Sequence, residues 1–434
     1  MSAPQRLEGV PDSPWFRYEG GRLVCDEVPL EAIAAEVGTP TYVYSARAID
    51  AAYDRIDAAL AFTRHTIAYA VKANGNLAIL RRLAAKGCGA DIVSGGELAR
   101  VLRAGFPGER VVFSGVGKRE DELRAALQAG VRAIHVESVP ELDAIERVAT
   151  ALDVRAPVAL RVNPDVDPQT HPYIATGLHT TKFGLEMDAA EALLPRLLSS
   201  PHVRLDGVAC HIGSQLGAPA PLEEAVTLLA RFAVRCHAAG ATLRSIDVGG
   251  GWPMAYGNEA APYPPESAFG AAIERGLRAG GALDLDLEVV TEPGRALVGD
   301  AGVLLTRVLY NKDRGDRRFV IVDAGMSDLI RPSLYGAYHA IVPVRAPSAS
   351  EAPRRVDVVG PICESGDFFA KDRALPEVEP GALLAIRGAG AYGREMASTY
   401  NARPPAAEVL VVDDRHRVVR RRAPVESLWA EELL

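Results

Sequence analysis

Between about Thr66 and Glu292 the chain alternates short apolar runs with longer stretches of helical period, and it does so eight times. The apolar runs are Thr66–Asn74, Gly89–Ser94, Arg110–Gly115, Ala133–Ser138, Pro157–Pro164, Leu205–Ser214, Ser245–Gly251 and Asp286–Gly294. Amphipathic stretches such as Asn76–Gly87, Gly96–Gly105, Asp121–Gly130, Pro140–Ala151 and Pro221–Gly240 lie between them, several ending in glycine, a common helix stop. Eight strands separated by helices imply a closed parallel (β/α)8 barrel. An open doubly wound sheet fits poorly, because the repeats are too many and no Gly-x-Gly-x-x-Gly turn opens them.

After Glu292 the rhythm changes. Val303–Tyr310, Phe319–Val322, Arg355–Val359, Ala382–Arg387 and Glu408–Val412 read as strands joined by turns, which predicts a mostly antiparallel β domain. The strand-like segments Trp15–Val28 and Thr41–Tyr44 are candidates to join it, and Arg345–Arg354, rich in Pro, Ser and Ala, reads as an exposed loop. At 434 residues two domains are expected: a barrel over 46–300, and a β domain made of 1–45 with 301–434.

In such barrels chemistry gathers at the carboxyl ends of the strands. Those ends supply Lys72, Asp91, His211, the Gly249–Gly251 run and Glu292. A lysine closing a buried strand is poorly hydrated, and desolvation favours its neutral, nucleophilic form, as a Schiff base with an aldehyde requires. A lone lysine there is more often a snorkelling side chain. Glycine runs are more often plain turns than phosphate cradles, and a buried histidine is usually a satisfied core residue. Glu292 and Arg295 could form an ordinary surface ion pair. Their co-occurrence on barrel strand ends is what carries weight.

The remaining composition narrows the classes. The net charge of −8 gives no reason to expect nucleic acid or anionic membrane as partners, and no apolar stretch approaches the ~20 residues that span a bilayer. The polar start, Met1-Ser-Ala-Pro-Gln-Arg6, leads into no apolar signal segment. Five scattered cysteines (Cys25, Cys88, Cys210, Cys236, Cys363) with no CxxC pair read as reduced thiols, so a cytoplasmic enzyme is expected. A convincing cluster of His and carboxylate metal ligands is not legible, and no metal is expected.

Longer blocks then stand out: Tyr69-AVKANGN-Leu77, Gly89-ADIVSGGEL-Ala99, His171-PYIATGLHTTKFGLE-Met187, His211-IGSQ and Asp247-VGGG. Glu292-PGR, Met326-SDLIRPSLYGAYHAIVPV, Val359-GPICESGDFFAKDR-Ala374 and Gly390-AYGREMASTYN continue them. Over nearly its full length the chain resembles the fold-type III pyridoxal-phosphate decarboxylases. The last three blocks are similar to the branch that converts meso-2,6-diaminopimelate to L-lysine, the last step of bacterial lysine synthesis. The alternative is a decarboxylase of the same family acting on another carboxylated diamine or basic amino acid.

The resemblance implies roles residue by residue. Lys72 would carry pyridoxal 5'-phosphate, His211 would stack on its ring, and Glu292 would pair with the ring nitrogen. Ser214, Gly250, Gly251 and Arg295 would surround the phosphate, Gly294 would belong to the cofactor site, and Tyr392 would reach phosphate and substrate. Arg295, Arg331 and Tyr335 would bind substrate carboxylates, and Glu364 an ammonium group. Cys363 would be the proton donor, delivered by the neighbouring subunit of a homodimer with shared active sites. Asp91 would support the lysine. An acid at the ring nitrogen argues for a decarboxylase over the racemases of this fold, which resemble it but place an arginine there. One departure is Gly251-Trp-Pro-Met-Ala-Tyr256, where the family more often continues with small residues, so Trp252 is expected to reshape the loop near the phosphate.

Overall fold

The computed structural model describes residues 10–11, 13–167, 182–347 and 352–433. Residues 168–181, which hold most of the His171–Met187 block, lie outside the described residues, as does part of the loop expected over 345–354. The chain divides into two compact units: Ala52–Pro253 with Tyr263–Ala296, and Met1–Ala51 with Met254–Pro262 and Leu297–Leu434.

All eight expected runs in the first unit contain a parallel strand. These are β1 (His65–Ala70), β2 (Gly89–Ile92), β3 (Val111–Phe113), β4 (Ala133–Val136), β5 (Ala156–Asn163), β6 (Val203–Ala209), β7 (Ser245–Asp247) and β8 (Glu288–Thr291). Each pairs with the next, and β8 returns to pair with β1 through Val290↔Thr66 and Thr291↔Ile67. The sheet is therefore a closed barrel. Its lumen is plugged by Ala68, Val112 and Val290, which form one buried cluster.

Helices separate the strands, and their starts are written in the sequence. Ser94 accepts a bond from Glu97 N–H at 3.2 Å while Glu97 reaches back to Val93 N–H. Ser138 and Glu141 repeat the arrangement ahead of helix Val139–Leu152. Such reciprocal caps satisfy backbone donors that the first helical turn leaves open. Helix Gly95–Ala104 stops at Gly105, whose φ of +99° lies in the left-handed region that glycine tolerates.

The second unit is rich in strands. Gly302–Arg314 is its spine, pairing antiparallel with Arg317–Val322, Leu383–Ile386 and Thr41–Ser45. Ala407–Val412 joins Thr41–Ser45 in parallel, and Arg354–Val359 joins Arg317–Val322 likewise, so the sheet is mostly antiparallel. Two strands at its ends, Phe368–Leu375 and Arg415–Arg420, escape sequence reading. Both carry several charged residues and lie at sheet edges, where apolar alternation is weakest. The core of this unit joins Phe16, Leu30, Ile33, Val43, Val303, Leu305, Val342 and Val409.

Candidate active site

Strand periodicity places the barrel's polar side chains. Successive residues face opposite sides, so the residue two beyond an inward one also faces inward. Val112 in β3 is followed by Ser114, Ala133 in β4 by His135, Ser245 in β7 by Asp247, and Val290 in β8 by Glu292. With Asp91 of β2 these form a buried polar layer near the strand ends. Ser114 Oγ lies 2.6 Å from Asp91 Oδ1, 3.3 Å from His135 Nδ1 and 3.4 Å from Glu292 Oε1.

Lys72 sits in a short 3-10 turn, Val71–Ala73, directly after β1. Its Nζ donates to Asp91 Oδ2 at 2.9 Å. The lysine side chain keeps 38% of its exposure while Asp91 is fully buried, so the deep desolvation expected for Lys72 is not found. The amine is oriented by an ion pair instead. Burial by itself would raise the Asp91 carboxyl, but the Lys72 ammonium and the Ser114 hydroxyl outweigh it and hold the acid below its ordinary range.

His211 follows β6. Its Nδ1 accepts the Gly250 N–H at 2.9 Å, and burial, then the charges of Arg161 and Lys72, push it down to about 3. It is a neutral ring with its proton on Nε2. The glycines beside it are enforced by space. A Cβ on Gly250 would lie 2.3 Å from the Glu292 carbonyl oxygen, and one on Gly249 would lie 2.8 Å from His211 Nδ1. Arg295 is buried and its Nη2 donates to Ser214 Oγ at 3.1 Å, putting a cation and a hydroxyl together beside the glycine run. Gly294 fits closely against Ala70 and Ala73, where a Cβ would approach both methyls to about 3 Å.

Trp252 lies behind the glycine run. It is buried, rests against Phe269 and donates its indole N–H to Thr291 Oγ1 at 2.9 Å; Thr291 in turn donates to the Gly249 carbonyl at 2.7 Å. The residue braces the glycine run from the core side. The same stretch supplies Tyr256, whose hydroxyl accepts from Arg331 Nη1 at 2.6 Å within the strand-rich unit.

The other expected residues belong to that unit. Arg331 opens the short helix Arg331–Tyr335, is buried, and lies over the Tyr256 ring. Tyr335 closes the same helix. Cys363 and Glu364 are exposed on a loop anchored by Asp367, whose carboxylate accepts the N–H groups of Met326 and Ile362, each at 2.6 Å. The Cys363 N–H donates to Asn401 Oδ1 at 2.8 Å. Tyr392 and Asn401 both have left-handed φ, +54° and +56°, uncommon for residues with a Cβ and frequent at functional sites.

Sequence reasoning passed over Ser114, His135, Asp247, Arg161 and Tyr256. The available signal was the polar residue inside an otherwise apolar barrel strand, as in Ala133-Ile-His-Val136. Arg161, likewise within β5, is buried and donates to Glu137 Oε1 at 2.7 Å. The donor atoms of His135, Asp247 and Glu292 lie within 4.8 Å of one another, a grouping the sequence did not reveal.

Comparison with known proteins bears on this geometry. Residues 46–299 match the family described as pyridoxal-dependent decarboxylase, pyridoxal binding domain. The chain is 50% identical to the diaminopimelate decarboxylase of Pseudomonas aeruginosa over 419 residues, 96% of this chain and 99% of the relative. It is 47% identical to that of Neisseria meningitidis serogroup A over 413 residues, 95% and 99% of the two chains. The crystal structure of the Helicobacter pylori diaminopimelate decarboxylase complexed with L-lysine superposes with a TM-score of 0.88 at 43% identity, covering 93% of this chain and 99% of that one. The M. jannaschii diaminopimelate decarboxylase in co-complex with L-lysine gives 0.92 at 36% identity, covering 99% of both.

Proposed function

This chain belongs to the diaminopimelate decarboxylases of the pyridoxal-dependent decarboxylase family, and from that premise we propose how its residues divide the reaction. The activity is decarboxylation of meso-2,6-diaminopimelate to L-lysine and CO2, with pyridoxal phosphate as cofactor. The observation that carries the assignment of roles is the contact chain Lys72–Asp91–Ser114–Glu292, which ties a reactive amine to a buried acid within one polar layer.

The barrel's donor set suits the cofactor. It offers a primary amine (Lys72), an arginine–serine pair beside a glycine run (Arg295, Ser214, Gly250, Gly251, Gly294), a neutral imidazole (His211) and a buried carboxyl (Glu292). When bound, pyridoxal phosphate supplies a ring that accepts the electron pair left on the α-carbon as CO2 departs. Lys72 would hold the cofactor through its amine, and Asp91 orients that amine. Arg295, Ser214 and the glycine N–H groups would take the phosphate. His211, being uncharged, would serve the ring without competing for a proton. Glu292 would supply the negative charge for the ring nitrogen.

In this proposal the substrate's ends are held by charged and polar side chains, Arg295 among them. Arg331 and Tyr335 receive a carboxylate, Glu364 an ammonium, and Tyr392 reaches phosphate and substrate. An arginine paired with a carboxylate suits a substrate carrying a second amino-acid end, which ornithine and lysine lack. The purified chain is expected to release L-lysine and CO2 in equal amounts from meso-diaminopimelate. It should act on ornithine or lysine at least about 10²-fold less efficiently, since either leaves a charged receptor unpaired. Comparable kcat/KM values for all three would refute the assignment of Arg331 and Glu364.

Cys363 gives its Sγ proton to the α-carbon, and we place it in the partner subunit's service: each copy lends its Cys363 to the other's barrel. Its exposure in an anchored loop supports this. Mixing Lys72→Ala with Cys363→Ala is the check. Hybrid dimers contain one intact site, so activity should rise toward about a quarter of the wild type, while each variant alone is nearly inactive. No recovery on mixing, after exchange of subunits is verified, would remove the shared site. Action in the cytoplasm belongs to the same proposal. All five cysteines are free, and no helix of the described residues is long and apolar enough to cross a membrane.

A further inference from the structure

Asp247 has no part in the roles above, yet it is the most unusual acid in the barrel. It ends β7 fully enclosed, 3% exposed, and its Oδ1 accepts the Gly249 N–H at 2.9 Å. Its other oxygen, Oδ2, is buried and receives no N–H or O–H from the described residues. What lies near Asp247 instead is a second carboxyl, that of Glu292, with an oxygen of each acid and a ring nitrogen of His135 all within 4.8 Å of one another. Two carboxylates have no donor between them, so two buried acids this close are best accommodated when one of them carries a proton. His135 flanks both groups: its Nε2 is 3.6 Å from Asp247 Oδ2 and its Nδ1 is 3.7 Å from Glu292 Oε1.

We propose that Asp247 and Glu292 hold a single proton between them, and that Asp247 is the positioning residue that keeps this proton so that Glu292 stands ionised toward the ring nitrogen. His135 remains a neutral spacer that fixes the distance between the acids. The consequence for the ring rests on the function proposed above; the pairing itself rests on the geometry of β4, β7 and β8.

Other charges around the pair favour one proton over none. Lys72 after β1, Asp91 on β2, Arg132 before β4, Arg161 on β5, and Cys210 with His211 after β6 are the titratable or charged groups that surround it. Burial, first, and the Asp91 charge push Asp247 up to about 7, and burial, then Asp247 and Asp91, raise Glu292 well above its ordinary range. Burial pushes His135 down to about 4, so the imidazole does not supply the positive charge that would let both acids ionise.

Asp247→Asn tests the idea, because an amide reproduces the acid in its protonated form. Its oxygen can accept from Gly249 and its NH2 can donate to Glu292. An acid whose pKa is raised by folding contributes stability below the ordinary carboxylate range and loses it as pH climbs toward the folded value. Full-length, cofactor-loaded wild type should therefore lose thermal stability relative to Asp247→Asn between about pH 4 and pH 7, by at least about 2 °C, and the gap should level off above that. Infrared difference spectra should show a protonated-carboxyl band in wild type at pH 6 that is missing in Asp247→Asn. Glu292→Gln is the second variant: it keeps Asp247, so the band should remain but shift in frequency because its partner is now an amide. A flat stability difference, a band that survives Asp247→Asn, a band that Glu292→Gln leaves unmoved, or stoichiometric uptake of zinc by the three groups would overturn the proposal. A chain that shows the shared proton yet forms no lysine refutes the function and leaves the pair standing.

Discussion

Lys72→Ala should abolish lysine formation, lowering kcat/KM by at least about 10³-fold, the scale on which enzymes lose activity when a covalent group is removed. The amine is held by Asp91 at the end of β1 and has no substitute among the polar residues of its layer. Alanine also strips a fully buried carboxylate of its ammonium, so some loss of stability accompanies it. Lys72→Arg separates the two effects. It keeps a positive charge for Asp91, while a guanidinium stays protonated and cannot attack an aldehyde. The arginine variant should melt close to wild type and be equally inactive. Borohydride reduction of the wild type, followed by peptide mapping, should label position 72. A Lys72→Arg protein that still releases CO2 from meso-diaminopimelate within tenfold of the wild-type rate would end the assignment.

Glu292→Gln is expected to cost about 10²- to 10³-fold in kcat with much less change in KM, because the charge it removes matters most as electrons arrive on the ring. Glutamine preserves the shape of the side chain, and the phosphate ligands Ser214 and Arg295 are untouched. Stability should move the other way. Glu292 is buried beside Asp247 and Asp91, all of which raise its pKa, so at neutral pH its ionised form is disfavoured by folding. The amide escapes that penalty, and the variant should melt higher above the ordinary carboxylate range while turning over more slowly. Such opposition between stability and rate is common where a site is arranged for chemistry. A kcat within threefold of wild type would show that the ring nitrogen needs no acid in this protein.

The barrel was readable because its signal is repetitive: eight apolar runs, each followed by helical period, leave few other ways to bury the strands. Lys72, Asp91, His211 and Glu292 were readable because they end those runs. Residues one step further inside were not. His135 and Asp247 sit at the same depth as Glu292 but within short strands, where a single polar residue looks like an interruption. Only the closed register shows that β4, β7 and β8 bring them together. Trp252 was visible as a departure, but its part in the core depends on Thr291 and Phe269, 39 and 17 positions away. The strand-rich unit was harder still, since charged edge strands such as Arg415–Arg420 lack the alternation that marks a half-buried strand.

Closure of the ring through β8 and β1 has a temporal meaning as well. The strand that presents Lys72 is among the first of the barrel to leave the ribosome, and the strand that ends at Glu292 is the last. About 220 residues of loop must be brought together before the two can lie side by side, and contacts so distant in sequence form late. A nascent or truncated chain therefore has the amine long before it has the acid. The polar layer that joins them exists only once β8 has been made and paired.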